Sequence, residues 1–248
     1  MLSKSQISFI KSLHQKKYRK IHQLFIVEGL KSISEFLHSD YILNSIYATS
    51  DILPKLANLS HKQKVFEVTH NELIKISTLQ HPQSILALFQ IPENNSFNIQ
   101  KTDGLSIVLD GVQDPGNLGT IIRTADWFGF NHIICSETTV EAYNPKVVQA
   151  SMGSLARVKV YEQDLKALLA QCHLPVYGTL LDGENIFNTL WPSKGFLIFG
   201  SEGSGISEEI IPLISHPITI PGNGKTESLN VAISAAICMA ELRRNILK

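Results

Sequence analysis

IVLDGVQDPGNLGTIIRTADWFGF, residues Ile107 to Phe130, decides how the rest of the chain is read. Ile107, Val108 and Leu109 form a short unbroken apolar run, the pattern of a strand buried on both faces in a parallel sheet. Asp110 to Gly116 concentrates Asp, Gly and Pro, which marks a tight turn. Asn117 has the side chain of a helix N-cap, and Gly129 stands where a left-handed C-terminal cap is expected. Between them Leu118, Ile121, Ile122, Ala125 and Phe128 recur at helical spacing, so this face should pack on the sheet. Arg123 falls off that face and shares an outer surface with Gly119 and Trp127. In an open α/β sheet ligands bind at the carboxyl ends of strands, and this loop sits at one. Arg123 is then either a solvated helix arginine or a ligand contact, and the stretch alone leaves both open.

Downstream the alternation continues. Strands are expected at Ile133–Cys135, Val158–Val160, Val176–Leu180, Phe196–Phe199 and Ile218–Ile220. Helices are expected from Asn144-Pro145, across Asp164–Gln171, and from about Leu229 to Arg244. Such alternation argues for a largely parallel sheet covered by helices. Two further strand ends carry loops. Phe199 runs into GSEGSGIS, Gly200 to Ser207, and Ile220 into PGNGKTESLNVAIS, Pro221 to Ser234. Neither is a nucleotide motif: a dinucleotide fingerprint needs glycine where Glu208 stands, and a P-loop needs it where Thr219 stands.

Upstream, Ser5 to about Lys16 reads as an amphipathic helix with Ile7, Ile10 and Leu13 inward. Strands follow at Leu24–Val27, Ile42–Ala48, Val65–Val68 and Ile85–Phe89, and helices at Leu30–Leu37, Ile52–Leu59 and Asn71–Ser77. The polar stretch PENNSFNIQKTDG, Pro92 to Gly104, has no periodicity and reads as a linker. Residues 1–92 are thus expected as a small α/β domain, 93–104 as a linker and 105–248 as the larger domain.

Composition narrows the class. With 248 residues, 44% hydrophobic and 18% charged, the chain can bury a substantial core, and no apolar run approaches a membrane span or a signal-peptide core. A cytoplasmic protein is expected. The 3 cysteines are far apart in apolar surroundings and the 9 histidines lack ligand spacing, so no metal site is expected. The balanced total charge conceals an asymmetry: residues 1–100 hold 11 Lys+Arg against 7 Asp+Glu, and the remainder 11 against 15. Lys16, Lys17, Arg19 and Lys20 belong to a basic start with no acidic residue before Glu28. Such an arm either holds a polyanion or is a solvated helix face.

NLGTIIR (Asn117–Arg123), GSEGSGI (Gly200–Ile206) and IPGNGKTESLNV (Ile220–Val231) follow one another at strand ends. Together they resemble the SpoU, or TrmH-like, branch of the SPOUT RNA methyltransferases across residues 105–245. KYRKIHQLFIVEG more weakly resembles the L30e-like substrate-binding domain of ribosomal RNA 2′-O-methyltransferases in that family. The resemblance implies a SPOUT-type α/β domain with a C-terminal trefoil knot, S-adenosylmethionine as cofactor, and a homodimer formed through helices that include the last. The implied cofactor residues are Gly178, Thr179, Gly200, Ser201, Glu202, Gly203, Ile220, Ser228 and Leu229; the implied catalytic residues are Asn117, Arg123, Glu202, Ser228 and Asn230. Ser201 and Gly222 depart from the Asn and Met of many relatives, which bears on cofactor affinity or substrate detail. Lys16, Lys17, Arg19, Lys20 and Arg123 are the candidate RNA contacts.

A methyl sulfonium is already a strong electrophile, so such an enzyme needs chiefly to align a ribose hydroxyl and stabilise the oxygen as its proton leaves. A guanidinium stays protonated, so Arg123 is expected to bind phosphate and steady the developing alkoxide, held by Glu202 in a bidentate pair. The expected activity is 2′-O-methylation of ribosomal RNA. Transfer RNA as substrate, or a non-catalytic RNA-binding assembly factor of the same fold, are the alternatives.

Overall fold

The apolar run heading the quoted stretch lies in a strand, Leu105–Leu109, with all five residues buried and a parallel neighbour on each side. It belongs to a computed structural model that describes residues 1–56, 65–93, 96–101 and 104–246. Along the chain the elements are α1 (Lys4–Ser12), α2 (Lys16–His22), β1 (Leu24–Glu28), α3 (Leu30–Leu37), β2 (Leu43–Ala48), β3 (Val65–Glu67), α4 (His70–Ile76) and β4 (Ile85–Gln90). They continue with β5 (Leu105–Leu109), α5 (Pro115–Phe128), β6 (His132–Cys135), α6 (Pro145–Ala150), β7 (Lys159–Glu162), α7 (Leu165–Ala170), β8 (Val176–Asn185), β9 (Gly195–Phe199), β10 (His216–Thr219) and α8 (Val231–Ile246).

The chain folds as two units. The first comprises Met1–Glu93 together with Glu141–Ala156. Its sheet runs β1-β4-β2-β3, with β4 antiparallel to β1 and β2, and β3 parallel to β2. Ser3 and Gln6 close a capping box on α1, whose Ile10 packs with Leu13, Leu73 and Ile76 against one group of strand residues. The single helix expected from Ser5 to Lys16 is in fact two, because α1 ends at Ser12 and α2 begins at Lys16. Of the helix expected over Ile52–Leu59, a 3-10 turn is present at Leu53–Leu56, and residues 57–59 lie outside the described residues.

Glu141–Ala156 enters this unit as a wedge. Tyr143 joins an aromatic cluster with Phe25, Phe36 and Tyr41, its ring 4.8 Å from that of Phe25. α6, capped by Asn144, packs on β1. Arg19, only 2% exposed, forms a bidentate pair with Glu141 at 2.7 and 3.0 Å and donates to the Leu13 carbonyl. The expectation that Arg19 is a surface cation for RNA is therefore corrected: its charge is buried and already paired. Lys16, Lys17 and Lys20 are exposed on α2.

The second unit comprises Asn94–Val140 and Arg157–Lys248, with sheet order β10-β8-β9-β5-β6-β7 and every pair parallel. Its core includes Val108, Ile134, Phe196 and Ile198 from the strands and Leu165, Leu168 and Leu169 from α7. Phe97, within the stretch read as a linker, is buried among them. α5 packs along α8. Since all six strands point one way, the loops after β5, β9 and β10 share one edge of the sheet. No described helix is long and apolar enough to cross a membrane.

Candidate functional site

Asp110 to Asp114 carries the chain from β5 into α5. The cap of α5 is Asp114, which accepts the Asn117 amide at 2.8 Å, with Pro115 in the first helical turn. Asn117 is therefore not the cap expected from sequence; it lies inside the first turn with its side chain free for other contacts. Gly129 does close the helix in the left-handed conformation, at φ 71°. Gly119, expected on the outer surface, is buried, whereas Arg123 and Trp127 are exposed as expected.

The loop after β9 is a small closed hairpin. Ser201 and Gly205 exchange both backbone hydrogen bonds at 2.9 Å, and the Ser201 and Ser204 hydroxyls lie 2.9 Å apart. A Cβ on Gly200 would stand 2.0 Å from the Gly205 backbone, so this position accepts nothing larger. Gly203 differs: a Cβ there would meet no protein atom, and its φ is not in the left-handed region. Neither packing nor backbone conformation asks for glycine at 203, but a ligand lying against that backbone would.

Three loops meet through three side chains. Asn230 Oδ1 accepts the Ala232 and Ile233 amides at the start of α8, which fixes its amide and turns Nδ2 outward. That nitrogen donates to Glu202 Oε1 at 2.6 Å and to Asn117 Oδ1 at 3.0 Å. Asn117 Nδ2 in turn donates to the same Glu202 oxygen at 3.0 Å. Glu202 thus takes two amide donors on one carboxylate oxygen, which fixes its orientation. Asn230 also caps the last helix.

The network borders a cavity of about 350 Å³ lined by Gly111 to Asp114, Asn117, Ser201 to Ser204 and Val231. That volume lies within the range of small-molecule sites, about 300–1,000 Å³. A larger hollow of about 530 Å³ lies over Phe97 and α7. Its polar lining includes the amides of Asn98, Gln100, Gln163 and Gln171 and the carboxylate of Asp164, already spent on capping α7, so size alone does not make it the site.

Of the residues singled out from sequence, Asn117, Ser201, Glu202, Gly203 and Asn230 come together here. Arg123 does not: it is exposed on α5 and makes no ion pair or hydrogen bond among the described residues. The expected Arg123–Glu202 pair is thus absent; the asparagines hold the carboxylate instead. Gly178 and Thr179 have packing roles. A Cβ at 178 would meet the Ile214 side chain at 2.3 Å, and the Thr179 hydroxyl donates to the Ile198 carbonyl at 3.0 Å. β8 pairs with β10 at Gly178 and again only at Glu184, so the residues between leave the ladder and Leu181 is exposed. Ile220 is half-buried just past β10, and Ser228 and Leu229 are exposed in the loop before α8. Sequence reading passes over Asp114, although an Asp-Pro pair at a helix start is a recognisable signal.

Burial pushes the thiols of Cys135 and Cys238 up, the latter to about 12, so neither supplies a thiolate at neutral pH. Among the described residues no three His, Cys, Asp or Glu side chains gather as metal ligands.

Residues 104–240 match the SpoU rRNA Methylase family, and residues 4–87 match an MRM3-like substrate binding domain. A 23S rRNA (guanosine(2553)-2′-O)-methyltransferase, RlmP, from Bacillus subtilis is 31% identical over 238 residues, which cover 94% of each chain. Among solved structures, one from Porphyromonas gingivalis described as of the TrmH family superposes with a TM-score of 0.90 at 41% identity, covering 98% of this chain and 99% of that one. An AdoMet-bound rRNA methyltransferase from Sinorhizobium meliloti superposes with a TM-score of 0.89 at 26% identity, covering 100% and 98%.

Proposed function

The chain belongs to the SpoU rRNA methylase family, and from that premise we propose that it transfers a methyl group from S-adenosylmethionine to a ribose 2′-hydroxyl of ribosomal RNA. The observation that carries the reading is the Asn117–Glu202–Asn230 network, which joins three strand-end loops beside a cavity of suitable size. The name of the RlmP relative favours ribosomal over transfer RNA. When bound, S-adenosylmethionine supplies an electrophilic methyl sulfonium.

The cavity fits such a group: Val112 and Val231 line it beside the polar Asn117, Ser201, Glu202 and Ser204, and Gly203 leaves open space where a side chain would stand. Backbone at Ser201 to Gly203 would hold the cofactor, with Gly200 required for the loop to close and Ile220, Ser228 and Leu229 contributing from the loop before α8. Arg123, which has no hydrogen bond or ion pair among the described residues, is a guanidinium donor suited to a phosphate and to the oxygen that develops negative charge as it loses its proton. Glu202 is locked by the two asparagines and orients rather than neutralises. The first unit would select the RNA through shape and the exposed Lys16, Lys17 and Lys20. Pairing of two copies through α5 and α8 belongs to the same reading, supported by exposed Trp127 and Ile233 on those helices.

Methyl transfer from labelled S-adenosylmethionine to RNA from cells lacking this protein tests the proposal. Label in the ribosomal fraction that survives alkali as a dinucleotide is the expected result. Label confined to transfer RNA would overturn the substrate, and an alkali-sensitive product would overturn the 2′-hydroxyl. Sedimentation at low micromolar concentration tests the dimer, which a clean monomer would remove.

A further inference from the structure

Asp110 is a buried carboxylate one residue past the end of β5, and it takes no part in the network around Glu202. Burying a charge costs free energy unless something is gained from its contacts. Two contacts reach the same neighbouring loop. The Asp110 backbone N–H donates to the Phe199 carbonyl at 2.9 Å, which extends the β5–β9 ladder by one step and pins the loop where it begins. Its Oδ2 accepts the Ser207 amide at 2.8 Å, which pins the same loop where it ends. Gly111 then turns away at φ 74°, with its N–H on the Ser136 and Thr139 hydroxyls, and passes close enough to Ser201 that an added Cβ would touch it at 3.6 Å.

Between those pins lie Ser201, Glu202 and Gly203. Their loop is exposed at its tip, and internally it has the Ser201–Gly205 bridge and the serine hydroxyl contact to shape it. Those internal bonds fix the hairpin's form but not its direction relative to the sheet. Direction matters, because Glu202 must meet Asn117 and Asn230 on two other loops, and a short, directional hydrogen bond to a backbone amide sets it.

We propose that Asp110 is a positioning residue for the cofactor cradle: it clamps both ends of the Gly200–Ser207 loop and so aims Glu202 and the backbone of Ser201–Gly203. This rests on the reading of that loop as the place where S-adenosylmethionine binds. Asp110 acts by accepting a hydrogen bond, so an uncharged acceptor of the same shape serves in its place.

Calorimetric titration with S-adenosylmethionine and hydrogen exchange of the cofactor-free protein test this together, on Asp110→Ala and Asp110→Asn. Asp110→Ala is expected to weaken cofactor binding more than tenfold and to speed exchange in the peptide spanning 200–207, while peptides from β5 and β9 keep wild-type protection. Asp110→Asn is expected to bind within about threefold of wild type, since its Oδ1 still accepts the Ser207 amide. Wild-type exchange at 200–207 in Asp110→Ala would overturn the clamp. So would an Asp110→Asn variant as weak as the alanine, which would make the charge itself the requirement. Should the wild-type protein fail to bind S-adenosylmethionine at all, the functional reading falls, and the exchange comparison still decides whether Asp110 orders the loop.

Discussion

Asn230 reaches Glu202 across 28 residues of sequence, its Nδ2 2.6 Å from Oε1, while its own Oδ1 caps α8 through the Ala232 and Ile233 amides. One side chain therefore fastens the loop after β9 to the start of the last helix. Asn230→Asp keeps an acceptor for the helix amides but sets a second carboxylate against Glu202. It is expected to lower methyl transfer about 10²-fold with little change in melting temperature. Asn230→Ala also loses the cap and should be less stable by about 1 kcal/mol. Steady-state transfer and thermal melts on both variants separate the two roles.

Arg123 is exposed and supplies no hydrogen bond or ion pair among the described residues that the fold needs. Arg123→Ala should therefore stay within about 0.5 kcal/mol of wild-type stability. Turnover should drop about 10²- to 10³-fold, with cofactor affinity unchanged by calorimetry. Undiminished methyl transfer would remove Arg123 from the mechanism.

Gly200 and Gly203 separate loop geometry from ligand access. In Gly200→Ala the new Cβ meets backbone at 2.0 Å, which cannot yield, so the loop itself must distort and melting temperature and cofactor binding should both fall. Gly203→Ala meets no protein atom and should melt like wild type, yet bind S-adenosylmethionine at least tenfold more weakly. Equal affinity in Gly203→Ala would mean that no ligand approaches that backbone.

Of Lys16, Lys17, Arg19 and Lys20, Arg19 alone is buried. Arg19→Ala leaves Glu141 buried without its partner and should cost about 3–5 kcal/mol in denaturant unfolding. Replacing Lys16, Lys17 and Lys20 with Ala should leave stability nearly unchanged. RNA binding should weaken, and the dependence of log affinity on log salt should become shallower by about 0.7 for each phosphate that is no longer neutralised. A salt dependence identical to wild type would show that these lysines do not face RNA.

Glu72 gives a pH signature. The Thr69 backbone amide, and after it that of Leu2, hold its carboxyl below the ordinary value. A lowered folded pKa means that the stabilisation is present above the unfolded value and is lost as pH falls through the folded one. Glu72→Gln, which weakens the capping box on α4, should unfold more readily than wild type at pH 7, by about 1 kcal/mol. The gap should begin to narrow as pH falls below about 4.3, the ordinary Glu value, and vanish only once pH has passed the lower folded value; melting curves across that range would show it.

Much of this architecture is legible in the chain. Unbroken apolar runs announce β5 and β9, and loops rich in glycine and asparagine mark the strand ends, because burial on both faces and tight turns each leave a local signature. What stays hidden depends on partners far off in sequence. Nothing near Arg19 distinguishes it from Lys20; its burial is decided by Glu141, 122 residues away. The helical pattern shows one apolar face and leaves Gly119 outside it, whereas α8 also packs along α5. Asparagine suits the cap role, but Asp114 with Pro115 starts the helix earlier and releases Asn117 for the network. Charge alone pairs Arg123 with Glu202, yet two neutral amides hold the carboxylate in the folded chain.

The wedge formed by Glu141–Ala156 bears on how such a protein can be divided or recombined. Its sequence neighbours are β6 and β7, but it completes the aromatic cluster around Phe25 and supplies the counter-charge for Arg19. A gene fragment ending near residue 92 would encode every strand of the first sheet and still omit part of its interior. The first unit is consequently not a cassette that evolution or an engineer could exchange by a single crossover in the linker: the donor's Glu141 and Tyr143 would have to travel with its Arg19 and Phe25.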